Sequence, residues 1–158
     1  ASHNTVEIDG KDSSQVWSGF RVAKRASVLW RFAEVDQNHR VLLRAAHNGY
    51  KSIFSGCIHN RELEFTADGL VVIDSIFGSF REAKSRFYFH PKLNLSLEKG
   101  FLRIEGPKFN MLSDLRNKEA SLIDSWWHPE FGLKIANKAL ELQFATSRLE
   151  VTFSWSRL

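Results

Sequence analysis

Apolar and polar residues alternate along much of the chain, and this period of two predicts β-strands. The clearest case is residues 148–155, where every second residue is apolar. In an extended strand the alternation places Leu149, Val151, Phe153 and Trp155 on one face of a sheet. Shorter alternating stretches predict further strands at residues 61–65, 86–90 and 102–105.

Two more stretches, residues 28–32 and 41–46, are mostly apolar and predict strands that are more fully buried. The pair Asp68-Gly69 separates two apolar runs and predicts a hairpin turn. Residues 110–120 are the best candidate for a helix, although their apolar positions are sparse. The predicted core consists of Val28, Trp30, Phe32, Leu63, Phe65, Phe87, Phe89, Val151 and Phe153.

Many short strands separated by turns predict an all-β fold, a sandwich of antiparallel sheets with little or no helix. The length of 158 residues, with 43% hydrophobic and 25% charged residues, fits one globular domain over residues 1–158. There is no apolar run of about 18 residues, so no membrane span is expected. The single cysteine, Cys57, excludes an internal disulfide.

Charge and aromatic content suggest which partners to expect. The net charge is +4 with the signs mixed along the chain, which allows weak attraction to anions but indicates no nucleic-acid footprint. Arg21 and Arg25 could meet carboxylates or sulfates, or could simply lie at a solvated strand end. Trp126 and Trp127 could stack on sugar rings, or could serve in packing.

Several short motifs follow one another in a distinctive order. His3-Asn4-Thr5-Val6 is followed by Asp9-Gly10 and then by Trp17 and Phe20-Arg21, and this series is similar to the landmarks that open the domain of the heparinase II/III-like family. The later landmarks occur in the same order along nearly the whole chain: His47-Asn48-Gly49-Tyr50, His59-Asn60-Arg61, Phe89-His90-Pro91 and Trp127-His128-Pro129-Glu130-Phe131-Gly132.

The resemblance implies a fold and a setting. Members are polysaccharide lyases in which an N-terminal α/α-toroid and a C-terminal β-sandwich enclose the substrate. The chain is therefore expected to be the sandwich, a fragment lacking the toroid and inactive or nearly so alone. The implied partners are an anionic polysaccharide and the toroid of the same protein, and the implied location is periplasmic or secreted, in a bacterium.

The resemblance also implies β-elimination at a uronic acid. In that reaction a base removes the proton at C5, next to the carboxyl group, and an acid protonates the leaving oxygen. His3 is expected to be the catalytic histidine that the sandwich supplies, or else a zinc ligand. His47 is a candidate ligand of a structural zinc ion. The expected substrate-binding residues are Trp17, Arg21, Tyr50 and Trp127. The alternative reading is a noncatalytic carbohydrate-binding or scaffold domain.

Overall fold

The computed structural model describes residues 3–17, 21–51 and 56–157. This described part forms fourteen β-strands and contains no helix, hence no helix that could cross a membrane. The strands are β1 (Val6–Ile8), β2 (Gln15–Val16), β3 (Val22–Lys24), β4 (Val28–Val35), β5 (Val41–His47), β6 (Ile58–Phe65), β7 (Gly69–Phe77), β8 (Ala83–Tyr88), β9 (Asn94–Glu98), β10 (Phe101–Glu105), β11 (Phe109–Asp114), β12 (Glu119–Trp127), β13 (Ile135–Phe144) and β14 (Arg148–Arg157).

The strands form two main sheets. The larger has eight strands in the order β4-β5-β6-β7-β14-β11-β10-β9, and the smaller has four in the order β1-β8-β13-β12. Strands β2 and β3 form a separate two-stranded ribbon. The paired strands of both main sheets run antiparallel. The prediction of an antiparallel β-sandwich is therefore confirmed.

The core lies between the two main sheets. Phe87 of the small sheet meets Phe153 of the large sheet edge to face, with ring centroids 5.4 Å apart. Phe87, Val151 and Phe153 are buried as predicted, and each contributes about 2–3 kcal/mol by leaving water. Leu63 and Phe89 are only half-buried and pack against this core. Phe65 is also half-buried.

The hairpin predicted at Asp68-Gly69 is confirmed and joins β6 to β7. The Thr66 amide donates to the Gly69 carbonyl at 2.9 Å, which closes the turn. A Cβ atom at position 69 would lie 2.7 Å from the carbonyl oxygen of Phe153, closer than real Cβ contacts come. Glycine is therefore needed because β14 passes directly against this point.

Strand β4 corrects part of the predicted core. Val28, Trp30 and Phe32 are 68%, 46% and 45% exposed. A β-bulge lies between Val28 and Trp30, because Val28 pairs with His47 whereas Trp30 pairs with Ala46, the very next residue along β5. The extra residue sends Val28 to the opposite face of the sheet from Trp30 and Phe32. Moreover, β4 is the edge strand of the large sheet.

The helix considered at residues 110–120 is also wrong. Strand β11 occupies the first part of this segment, and β12 begins at its end. Strand β11 pairs with β10 on one side and with β14 on the other. These two ladders satisfy its backbone groups, and they outweigh a local helical pattern with few apolar positions.

Candidate functional site

The segment that carries the His3-Asn4-Thr5-Val6 motif is fastened to both sheets. The side-chain oxygen of Asn4 accepts a hydrogen bond from the Tyr88 amide at 2.7 Å. The Asn4 carbonyl accepts one from Nη1 of Arg61 at 2.6 Å, and the Val6 carbonyl accepts one from the buried Tyr50 hydroxyl. Asn4 thus bonds the small sheet through its side chain and the large sheet through its backbone.

Other predicted site residues lie on the surface near the N-terminus. His3 is exposed and directly precedes the fastened Asn4. Trp17 and Arg21 are both exposed, and the Trp17 amide donates to the Arg21 carbonyl at 2.7 Å, which brings the two residues together. Phe20 of the same motif lies outside the described residues. The catalytic and binding roles of these residues remain predictions.

A buried carboxylate lies where the two sheets meet beside this segment. Asp74 is 1% exposed. Its Oδ1 accepts from Nε of Arg61 at 2.7 Å, and its Oδ2 accepts from Nη2 of the same guanidinium at 2.8 Å. Ser85 of the small sheet donates to Oδ2 at 2.7 Å. The two-point Arg61–Asp74 contact is the strong, geometrically specific form of an ion pair, and Ser85 links it across the sandwich.

Two histidines, His47 and His59, extend this network as a chain in which each ring donates a hydrogen bond to the next group. The Gly49 amide donates to Nδ1 of His47 at 3.2 Å, so that nitrogen is an acceptor. The proton of neutral His47 is then on Nε2, which faces Nδ1 of His59 at 3.0 Å. His59 in turn carries its proton on Nε2 and donates it to Oδ1 of Asp74 at 2.7 Å. The contacts therefore select one tautomer for each ring.

Within the network, the pKa values of Asp74 and His47 are both lowered. Burial alone would raise the pKa of Asp74, but hydrogen bonds from His59 and Arg61 and their charges outweigh burial and hold it well below 3.8. Burial, followed by the charges of His59 and Arg61, lowers the pKa of His47 from 6.5 to about 4. Asp74 is thus ionised and His47 neutral at physiological pH.

The core face of the large sheet extends beyond the small sheet. Register places Leu63 beside Val72, Leu43 beside Leu63, and Ala33 beside Leu43. Strands β4 to β6 therefore continue the row of core positions past the region that the small sheet covers. We call this surface the uncovered face; its members are Arg31, Ala33, Leu43, Ala45 and Leu63.

The uncovered face forms a groove of about 550 Å³. Ala33, Leu43, Ala45 and Leu63 supply an apolar lining, and Arg31, Arg44 and Arg61 also line it. Arg61 is engaged by Asp74 and the Asn4 carbonyl, and Arg44 pairs with Glu62. Arg31 has no ion pair among the described residues. The groove therefore suits an apolar partner surface with a negative charge near Arg31.

The remaining predicted residues lie apart from the groove. Tyr50 is fully buried, which does not fit direct contact with a polysaccharide. Both ring nitrogens of His47 hydrogen-bond within the protein, and the described residues include no group of three His, Cys, Asp or Glu suited to a metal. These contacts do not favour zinc at His47, which stays a prediction. Trp127 lies in the small sheet, packed on His90 with centroids 4.7 Å apart.

The network residues His59, Arg61, Asp74 and Ser85 were not singled out from the sequence. His59 and Arg61 appeared only as a family landmark. The sequence does contain one feature that points to Asp74: it is a single carboxylate directly after the apolar run Leu70-Val71-Val72-Ile73. A charge in such a strand is buried with a partner or not at all.

Several solved structures share this fold. A structure described as a heparinase III gene product matches with a TM-score of 0.67 and 13% identity, over 99% of this chain and 24% of that one. The heparan sulfate lyase HepC from Pedobacter heparinus matches with a TM-score of 0.67 and 13% identity, over 98% and 24%. The chain thus spans about a quarter of the length of the structures it matches. A comparison with curated proteins found no match.

By its fold, this chain is therefore a β-sandwich of the kind that forms one part of these larger lyase structures. The family is identified from the sequence. The model described as "Heparinase II/III-like, C-terminal" matches residues 1–156. The chain belongs to this family, as its motifs predicted.

Proposed function

We propose that this chain is the C-terminal β-sandwich of a polysaccharide lyase that cleaves uronic-acid-containing glycans by β-elimination, and that it shapes one wall of the substrate cleft. Family membership supports the class of protein. The observation that carries the rest is the uncovered face, since core positions continue from β6 onto β5 and β4, where the side chains are exposed or half-buried. A second domain of the same protein, the helical toroid, would complete this core.

Strand β4 adds to this argument. Val35 lies on the same side as Ala33, and Val28 pairs with His47 on that side too; these two valines are 65% and 68% exposed. Trp30 and Phe32, on the opposite side of the strand, are about half exposed. Such a concentration of apolar side chains on one edge strand is unfavourable in water and typical of an interface. The adjoining His3-Asn4 segment is then at the border between the sandwich and the proposed helical domain.

In the proposed reaction a base breaks the C5–H bond of the uronate, and the electron pair forms a double bond between C4 and C5. The C4–O bond breaks, and the leaving oxygen receives a proton. We assign the base and most of the charge stabilisation to the helical domain, and to this chain the exposed His3 at the cleft border. Loss of one acid or base group lowers the rate about 10²–10⁴-fold.

The test is formation of the unsaturated uronate, followed by its ultraviolet absorbance, with the full-length parent over a panel of uronate polysaccharides. His3→Ala in the full-length parent should lower the rate about 10²-fold or more. Its urea unfolding midpoint should stay the same. His128→Ala, another exposed histidine, is the matched control and should keep the parent's rate. Normal turnover by His3→Ala would remove His3 from the site, and no cleavage of any polymer would refute the lyase assignment.

One observation favours the alternative, a noncatalytic carbohydrate-binding domain. Trp126 is 49% exposed, and the ammonium group of Lys134 lies 3.9 Å from its ring centroid. An exposed indole beside a cation suits an acidic sugar ring. Loss of oligosaccharide binding on Trp126→Ala, combined with an inactive parent, would support this alternative.

A further inference from the structure

A second concave surface lies outside the groove and carries only positive charge. It is a pocket of about 510 Å³ where the end of β3, the segment before β4 and the turn after β5 meet. Three cationic residues line it, Lys24, Arg25 and Lys51, and the rest of the lining is Ser27, Asn48 and Gly49. We call it the basic pocket.

The three cations of the basic pocket stand apart from the ion pairs that the described residues form. None of them forms an ion pair within the described ranges 3–17, 21–51 and 56–157, and the residues outside those ranges include no Asp or Glu. By contrast, Arg61 and Arg86 are each paired with buried or half-buried carboxylates. Three like charges around one pocket repel one another, and a bound anion would relieve this repulsion.

The frame of the basic pocket is ordered before any ligand arrives. The Ser27 amide donates to Oδ1 of Asn48 at 3.0 Å, and the Asn48 amide donates back to the Ser27 carbonyl at 3.1 Å. The Lys51 amide donates to the Asn48 carbonyl at 2.9 Å. A Cβ at Gly49 would lie 2.3 Å from the Ser13 carbonyl oxygen, so only glycine lets this turn pack so closely. Anion binding therefore has little backbone ordering to oppose it.

We propose that the basic pocket binds an oxyanion group, a sulfate or a carboxylate, of an anionic polysaccharide, and that this chain binds it without help from another domain. The guanidinium of Arg25 suits two-point contact with such a group, and the two lysines act as point charges. The pocket is short and bounded, unlike the extended basic stripe that follows a nucleic-acid backbone. The choice of a polysaccharide rests on the function proposed above.

The first experiment measures calorimetric binding of a heparin hexasaccharide to the 158-residue chain in 0.15 M salt. The variant Lys24→Gln/Arg25→Gln/Lys51→Gln should bind at least about tenfold more weakly. Each exposed ion pair contributes little binding free energy alone, but three of them act on the same anionic group. Circular dichroism checks its fold, and the single substitutions should shift affinity in the same direction.

The matched control is Arg81→Gln/Lys92→Gln/Lys108→Gln. It removes the same charge from exposed cations that lie outside the basic pocket. Its affinity should stay within about twofold of the affinity of the unmutated 158-residue chain, because at this salt concentration charges distant from the ligand are largely screened. Equal weakening of binding in both triple variants would show diffuse electrostatic attraction and would overturn the proposal. The proposal would also be overturned if the unmutated 158-residue chain did not bind the hexasaccharide.

Two further ligands identify the group. A desulfated hexasaccharide that keeps its carboxylates should lose the pocket-dependent binding if sulfate is bound and retain it if carboxylate is bound; either result supports the pocket. A DNA oligonucleotide that binds as tightly, with the same loss in the pocket variant, would overturn the polysaccharide assignment. Pocket-dependent binding with a full-length parent that cleaves nothing would refute the lyase function and leave the pocket standing.

Discussion

Replacing Asp74 with asparagine should be among the most damaging conservative changes in this chain. The substitution keeps the size of the side chain, so any loss of stability reflects charge and hydrogen bonding. Each carboxylate oxygen of Asp74 accepts two hydrogen bonds, shared among His59, Arg61 and Ser85. In asparagine one of these oxygens becomes an NH₂ group that faces two donors, whichever way the amide is turned.

The expected magnitude follows from burial. Asp74 is almost fully buried, and the side chain of Arg61 is 16% exposed. Removing one partner of a buried ion pair costs about 3–5 kcal/mol, because the other charge stays buried without compensation. Against a total stability of about 5–15 kcal/mol, this is a large fraction. With an m-value near 2 kcal/mol/M, the urea midpoint should fall by roughly 2 M.

The assay is urea unfolding at pH 7, followed by tryptophan fluorescence and circular dichroism. Asp124→Asn is the matched control, since Asp124 also pairs with one cation, Lys138, but is 91% exposed. Its midpoint should not move measurably, because water and salt screen such a pair. If Asp74→Asn does not fold at all, Ser85→Ala supplies a graded test and should lose about 1–2 kcal/mol. An unchanged midpoint in Asp74→Asn would refute the network as a source of stability.

Three more outcomes are expected. The pKa of His47 is about 4 in the folded chain and about 6.5 in the unfolded chain, so the unfolded chain binds a proton first as the pH falls. The free energy of unfolding should therefore fall by about 3 kcal/mol from pH 7 to pH 4, measured by urea unfolding at each pH. The fall should be smaller in His47→Gln. Phe153→Ala should cost about 3–5 kcal/mol in the same assay, whereas Val35→Ser, on the uncovered side of β4, should change this chain by less than about 1 kcal/mol but destabilise the full-length parent. Gly49→Ala should lower the thermal midpoint by several degrees, since its Cβ would collide with backbone at Ser13.

Alternation along the chain was enough to predict the strands around the core. Strand β14 and the β6–β7 hairpin follow it directly, because one face of each is buried by this chain itself. Strand β4 fails for two physical reasons. A bulge after Val28 shifts the alternation by one residue and turns Trp30 and Phe32 to the side of the sheet that faces away from the small sheet. The side of β4 that does continue the core face, with Val28 and Val35, is not covered by the small sheet and stays exposed. A hydrophobic pattern does not distinguish a core from an interface.

The polar network could not be predicted because its members are neighbours only through strand register. His47 meets His59 by the pairing of β5 with β6, and Arg61 meets Asp74 by the pairing of β6 with β7. A shift of one residue in either ladder would turn these side chains to the other face of the sheet. The six histidines therefore gave no spacing signal, although two of them form a direct hydrogen bond.

The network also explains why the N-terminal motif contains asparagine beside histidine. Its oxygen accepts from the Tyr88 amide, and its carbonyl holds Arg61, which is itself held by Asp74. The buried ion pair thus fixes the position of an exposed segment at the border of the uncovered face. Loss of Asp74 should therefore disturb any function of His3 as well as stability. Such coupling gives a reason to keep a buried charge where an apolar pair would be as stable.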